Sequence, residues 1–190
     1  MTDGDVTVPT ETAPSETIPS ETDPACAVAQ GAAPPPVADR RLVAVFASPV
    51  AAELGHLAAH VGFDVVVLEP DAARDVESAG GRRPAVRDVE SAGLDDRTDV
   101  VVTDHDRPEL GDVLAAVLDS RTRWVGVMGS PRHAPPHVPA LRERGYDDAA
   151  IARVHRPIGL DIGSHTPAEI ALSTVAGLLA DRNGRGGGAY

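Results

Sequence analysis

Four short stretches hold side chains whose types and spacing could do chemistry. Thr103-Asp104-His105-Asp106 places an imidazole between two carboxylates, the composition of a proton shuttle or of part of a metal site. The same residues also suit a polar turn ahead of a helix, with His105 bonded to backbone. Gly129-Ser130 is followed by Arg132 and His133. Glycine allows close backbone approach, serine and the following amides can hold an anion, and the two cations add charge; the bland alternative is a plain turn. Pro157-Ile158-Gly159-Leu160-Asp161-Ile162-Gly163 is apolar, yet its proline and glycines forbid a regular helix. Asp161, between Leu160 and Ile162, is expected to be a buried acid. Such a loop serves a ligand or an interface, or it simply connects a strand to a helix. The fourth stretch, Val45-Phe46-Ala47-Ser48-Pro49-Val50, stands where a dinucleotide fold carries G-x-G-x-x-G, and that pattern is absent. Side chains replace bare glycine backbone there, and Pro49 has no N–H to offer a pyrophosphate.

Other candidates are weaker. Glu69 closes a valine-rich run where a dinucleotide site would hold ribose hydroxyls, but without the glycines it reads better as a solvated loop acid. His56/His60 and His133/His137 have the four-residue spacing of helical metal pairs. Pro135 and Pro136 interrupt the second pair, no third ligand is evident for either, and both pairs read as surface histidines. Cys26 is the only cysteine, which excludes an internal disulfide and a cysteine-based metal cluster.

The elements that would position these residues follow from periodicity. Leu42 to Ala47 reads as a buried strand. Ser48 suits the N-cap, and Pro49 the first turn, of a helix running to about Val61. Asp64 to Glu69 is a second strand, so the unit is βαβ with parallel pairing. Residues 70–98 are weakly apolar and expected to be irregular, with a short strand near Ala85-Val86. Arg-Asp-Val-Glu-Ser-Ala-Gly occurs there twice, at 74–80 and 87–93, a local duplication. Strands are then expected at Asp99–Thr103, Arg123–Met128 and Arg153–His155. Helices are expected at Pro108–Leu118, Pro136–Arg144, Asp147–Ala152 and Thr166–Asn183. Thr166, Pro167 and Glu169 supply an N-cap, a proline at N1 and a capping-box glutamate. The fold class is α/β: a Rossmann-like, doubly wound parallel sheet in a single domain, residues 40–184. Ligands in such folds bind at the carboxyl ends of the strands, which singles out Ala47-Ser48, Glu69, Thr103 to Asp106 and Gly129-Ser130.

Residues 1–39 form an acidic tail rich in proline, threonine and glutamate, expected to be disordered, and residues 185–190 a flexible glycine-rich end. Of the 190 residues, 42% are apolar, enough for one domain with a core. The net charge of −12 argues against nucleic acid as a partner. Every basic residue is arginine, as high-GC coding or life at high salt would each produce. No apolar run approaches the ~18 residues of a membrane span, and the polar N-terminus is no secretory signal, so a cytoplasmic location is expected.

Several of these pieces together resemble the XdhC/CoxI family: Thr103 and His105, Asp112, Gly126-Val127-Met128-Gly129-Ser130, Leu141, Gly145, and above all Pro157 to Gly163 with Thr166-Pro167-Ala168-Glu169-Ile170-Ala171. The likeness covers Arg41 to about Arg182. It implies a Rossmann-like domain in a protein that binds molybdenum cofactor, protects it, supports its sulfuration and delivers it to a molybdenum hydroxylase of the xanthine dehydrogenase type. On that resemblance the cofactor-binding positions are Thr103, His105, Gly129, Ser130, Arg132, Gly159, Asp161, Gly163 and Glu169, and the molybdenum cofactor is cargo. The sequence departs from the family pattern in three places. The usual N-terminal domain is replaced by the tail, so a separate chain would have to supply it. The glycine-rich first turn is Ala47-Ser48-Pro49, which disfavours a nicotinamide dinucleotide. Pro131-Arg132-His133 stands where a basic pair commonly follows Gly-Ser. A homodimer, a dinucleotide-dependent oxidoreductase and a ligand-free assembly module remain open as alternatives.

Overall fold

The structure, a computed structural model, describes residues 24–34, 39–74 and 85–188. Most of the expected disordered tail and most of the first repeat copy lie outside those residues. The chain divides into two units, Met1–Pro36 and Val37–Tyr190. In the first, α1 (Pro24–Ala29) is a short helix with no buried residue, in a stretch expected to hold no element. Cys26, on α1, is exposed and unpaired.

The second unit follows the expected alternation. Its strands are β1 (Arg40–Val45), β2 (Phe63–Leu68), β3 (Ala85–Val86), β4 (Thr98–Val102), β5 (Trp124–Val127) and β6 (Val154–His155). They form one sheet in the order β3-β2-β1-β4-β5-β6, and every neighbouring pair is parallel. The helices are α2 (Pro49–His60), α3 (Val89–Ala92), α4 (Leu110–Asp119), α5 (His137–Arg142), α6 (Asp148–Ile151) and α7 (Pro167–Arg182).

Strand side chains alternate between faces, and both faces are covered, so nearly every position must be apolar. Leu42, Ala44, Val65 and Val101 pack with Ala51, Leu54 and Ala58 of α2 and with Ala171, Val175 and Leu178 of α7. Val43, Val45, Val66, Leu68, Val100 and Val102 pack with Leu110, Leu114 and Val117 of α4. At the amino end of the sheet, fully buried Asp99 binds Arg123 at 2.5 Å and Arg182 at 2.7 Å, tying β4 to β5 and α7.

The helix starts follow local chemistry. Ser48 caps α2 by accepting from the Ala51 amide at 3.0 Å, with Pro49 in the first turn. Thr166 and Glu169 form the full capping box of α7. Helix α4 begins at Leu110, two residues later than expected. Its N-cap position, Glu109, makes no side-chain cap, because its carboxylate turns back to Arg107 at 3.2 Å. The second repeat copy is a small capped unit: Asp88 accepts from the Ser91 amide, and Gly93 closes α3 in the left-handed region.

Candidate functional site

In this strand order the chain reverses direction across the sheet between β1 and β4, so the crevice at their carboxyl ends is the place for a ligand. The structure brings Phe46 to Ser48, Glu69, Thr103, Gly129 and Arg156 to that end of the sheet, each just beyond the last residue of its strand or within a turn of it.

The first turn is knit closed by its own side chains. Phe46 adopts φ +70°, a left-handed conformation that a turn glycine would take without strain. Its ring points inward and is fully buried, with the Arg107 guanidinium 4.6 Å above it. Thr103 hydroxyl donates to the Phe46 carbonyl at 2.8 Å and lies 2.9 Å from the Ser48 hydroxyl. Thr103 is therefore brought to the switch point, and it spends its hydroxyl on holding the turn.

Glu69 corrects the expectation of a solvated acid. It is fully buried. Arg107 grips both its oxygens, at 2.8 and 3.0 Å, and the amides of Ala47 and Asp71 donate to the same two oxygens at 2.8 and 3.0 Å. Burial pushes the Glu69 carboxyl up, but the Arg107 bond and the two amides outweigh it and leave it below the usual carboxylate range. The Arg107 guanidinium is raised in turn, first by its bond to Glu69. Both oxygens of this carboxylate, which a ribose diol would have to bond, are taken by Arg107 and backbone amides. Arg107 was missed in the sequence. Its position directly after Asp106, with Pro108 behind it, was the available signal.

His105 is half-buried and lies 3.7 Å from the Asp106 carboxylate. The Asp104 carboxylate accepts from the Asp106 amide at 3.1 Å, which makes this segment the polar turn. Among the described residues no group of three or more histidine, cysteine or acidic side chains is placed to hold a metal.

The turn after β5 has a different character. Gly129 has φ +150°, and a Cβ there would lie 2.5 Å from Arg156 Nη2 and 2.7 Å from its Nε. Ser130 and Arg132 are exposed. The Arg132 amide donates to the Ser130 hydroxyl at 3.2 Å. Arg156 runs beneath this turn, donating to the Ser130 carbonyl at 3.2 Å and the His133 carbonyl at 3.1 Å. His133 is exposed, whereas His137 is 4% exposed, so His137 is not the surface histidine expected. Burial, and secondarily the Arg156 charge, hold the His137 imidazole below its usual range.

The Pro157–Gly163 loop departs from expectation at Asp161, whose side chain is exposed, with no hydrogen bond or ion pair among the described residues. The reason is how the loop is fastened. Leu160 exchanges bonds with Ser173 in the middle of α7: its carbonyl accepts the Ser173 hydroxyl at 2.5 Å, and its amide donates to the Ser173 carbonyl at 3.2 Å. Gly159 lies against α7 so closely that a Cβ would stand 2.5 Å from Ser173 Oγ. Ile158 and Leu160 turn inward, and the residues that follow, Asp161, Ile162 and Gly163, face out. Gly163 has φ +67° in open space. Glu169 accepts from the His165 and Thr166 amides at 2.7 and 3.0 Å, so its carboxylate serves the α7 cap. The loop also lines a cavity of about 220 Å³ with Trp124, His155, Leu178 and Arg185, toward the amino end of β5 and away from the crevice.

The sheet order, the crevice and the helices on both faces define a Rossmann domain. The XdhC Rossmann domain model matches residues 42–178, and the chain belongs to that family. The chain is 32% identical over 155 residues to "Uncharacterized protein YqeB" of Escherichia coli (strain K12), covering 78% of this chain and 28% of that protein. A crystal structure of a xanthine dehydrogenase from Bacillus halodurans superposes with a TM-score of 0.61 at 24% identity, over 77% of this chain and 43% of that one. That likeness shows the fold. The chain thus spans less than half the length of either relative. No helix among the described residues is long and apolar enough to cross a membrane.

Proposed function

We propose that this domain is the cofactor-handling Rossmann unit of a maturation factor for a xanthine dehydrogenase-type molybdenum hydroxylase. It takes molybdenum cofactor as cargo at the carboxyl-end crevice and passes it to the hydroxylase subunit, without turning over a substrate of its own. The observation that carries this reading is the contrast between the two turns. The β1 turn, where a dinucleotide would sit, is filled by the Glu69–Arg107 pair and the Ser48–Thr103 contact. The β5 turn is cationic and glycine-based, with Ser130 and Arg132 facing solvent and Gly129 packed over Arg156. An anionic pterin suits the second turn and not the first. Thr103 stays committed to the neighbouring β1 turn, and the outward Asp161 carboxylate, unpartnered among the described residues, is free to meet the cargo or the partner.

Mass spectrometry of small molecules released from gently purified protein tests this. Pterin is expected. Coupled to it, the protein should activate a cofactor-free hydroxylase. A released nicotinamide dinucleotide would replace the proposal with an oxidoreductase, for which the β3-β2-β1-β4-β5-β6 order speaks. An empty protein that co-purifies with the hydroxylase would point to a ligand-free assembly module.

A further inference from the structure

We infer that Arg156 is the anion anchor of the β5 turn and that the group it receives is a phosphate monoester. This rests on the reading of the turn as the ligand site, and it names the ligand chemistry and the residue that sequence inspection passed over.

Three observations converge on Arg156. Its guanidinium lies directly under Gly129, in space that any side chain at 129 would fill. Two of its nitrogens are spent on the carbonyls of Ser130 and His133, which fixes the turn's shape, while Nε is enclosed with no partner. No carboxylate pairs with it among the described residues, in a chain of net charge −12 where most buried or half-buried arginines are matched to acids.

His137 supplies the second, independent sign. It is 96% buried by the complement of its 4% exposure, and its Nδ1 has no hydrogen-bond partner. Two enclosed nitrogens without partners around one turn are costly unless something completes them. Arg156 holds the His133 carbonyl, and His137 opens α5 four residues further on. An arriving dianion would balance the Arg156 charge, which no acid among the described residues meets. The Arg156 charge, the Ser130 hydroxyl and the exposed Arg132 match the several acceptor oxygens of a phosphate better than a single carboxylate. The monoester belongs to the pterin cargo or to a nucleotide, and inorganic phosphate presents the same oxygens as a probe.

The test is titration of the full chain with inorganic phosphate, followed by ³¹P NMR and by thermal unfolding, with chloride at matched ionic strength as control. Wild-type protein is expected to be stabilised by phosphate beyond the chloride effect. Arg156→Lys keeps a charge at the turn but loses the fork and Nε, and should weaken binding by about tenfold. Arg156→Met should abolish it; should that variant fail to fold, the lysine variant decides. A wild-type protein indifferent to phosphate, or an Arg156→Lys variant that binds it equally well, overturns the inference. Phosphate binding without pterin binding would leave the anchor standing and sink the proposed cargo. Pterin binding that Arg156→Lys leaves untouched would do the reverse. Comparing inorganic phosphate, a nucleoside monophosphate and pterin phosphate then separates the sources.

Discussion

The Glu69 carboxylate and the Arg107 guanidinium form a two-point ion pair at 2.8 and 3.0 Å, at the end of β2 and in the loop before α4. The pair spans the position where an open Rossmann site would admit a ribose. Because Glu69 is fully buried, removing one partner strands the other charge in the interior. Glu69→Gln is expected to cost about 3 kcal/mol in urea unfolding, near the range for broken buried pairs. Arg107→Met should cost a similar amount, and the double variant clearly less than the two added together. Additive losses would show that the two residues act separately.

The same pair bears on nucleotide binding. Calorimetry with NAD on the unmodified protein is expected to show no tight complex. Ser48→Gly combined with Pro49→Gly should not create one, since Arg107 and Thr103 still fill the turn. Micromolar binding by the unmodified chain would overturn the claim that the β1 turn is closed.

Among the groups whose values shift on folding, the buried His137 and Glu69 act on stability in separate pH windows. His137 has a lowered value in the fold, so the unfolded chain binds the proton more readily. Its contribution is intact above the unfolded value of about 6.5 and declines as pH falls below it. Glu69 is also lowered, and its contribution is present above the unfolded value of about 4.3 and lost as pH falls through the folded one. Urea midpoints should therefore fall between pH 7 and about 5.5, then more steeply below about 4.5. His137→Gln should flatten the first decline and leave the second. An unchanged slope between pH 7 and 5.5 in that variant would remove His137 from the account.

How far the sequence was legible depended on whether the signal was local. The strand cores were, since valine runs such as Val65–Val67 and Val100–Val102 have only one economical use in a parallel sheet. So were the caps at Ser48 and Thr166, whose partners lie three residues away. The Glu69–Arg107 pair spans 38 positions and forms only when β2 and the β4 loop meet, so Glu69 alone looked like a solvated loop acid and Arg107 drew no notice. Asp161 failed for a related reason. Its flanking leucine and isoleucine suggested burial, but the fastening of Leu160 to Ser173 turns the following residues outward, and Ser173 carried no mark of that role. Arg156 drew no notice and His137 was read as a surface histidine, because what sets them apart lies in bonds they do not make.

The glycines of the Pro157–Gly163 loop should separate packing from backbone strain. Gly159 and Gly163 both have positive φ, +86° and +67°. Only at Gly159 would a Cβ also strike α7, at Ser173. Gly163→Ala is therefore expected to cost about 1 kcal/mol, the backbone term alone. Gly159→Ala should cost about 2–4 kcal/mol, because the Leu160–Ser173 bonds must shift as well. Equal losses in urea unfolding would mean that the loop is not held by its contact with α7.

Asp161 is the residue for which structure and function are most cleanly separable. A carboxylate that is exposed and unpartnered among the described residues contributes little to folding. Asp161→Asn, which keeps the shape and removes the charge, should change unfolding free energy by less than about 0.5 kcal/mol. The outward position still leaves a role toward something outside the domain, either pterin N–H groups or a basic patch on the hydroxylase. In reconstitution of a cofactor-free hydroxylase, Asp161→Asn is expected to lower activation markedly at unchanged stability. Pterin binding measured on the isolated protein then tells which role is lost: reduced binding places the carboxylate on the cofactor, and intact binding with failed activation places it on the partner. Full activation by the variant would show that this carboxylate touches neither, and that the loop's value lies in Gly159 and its grip on α7.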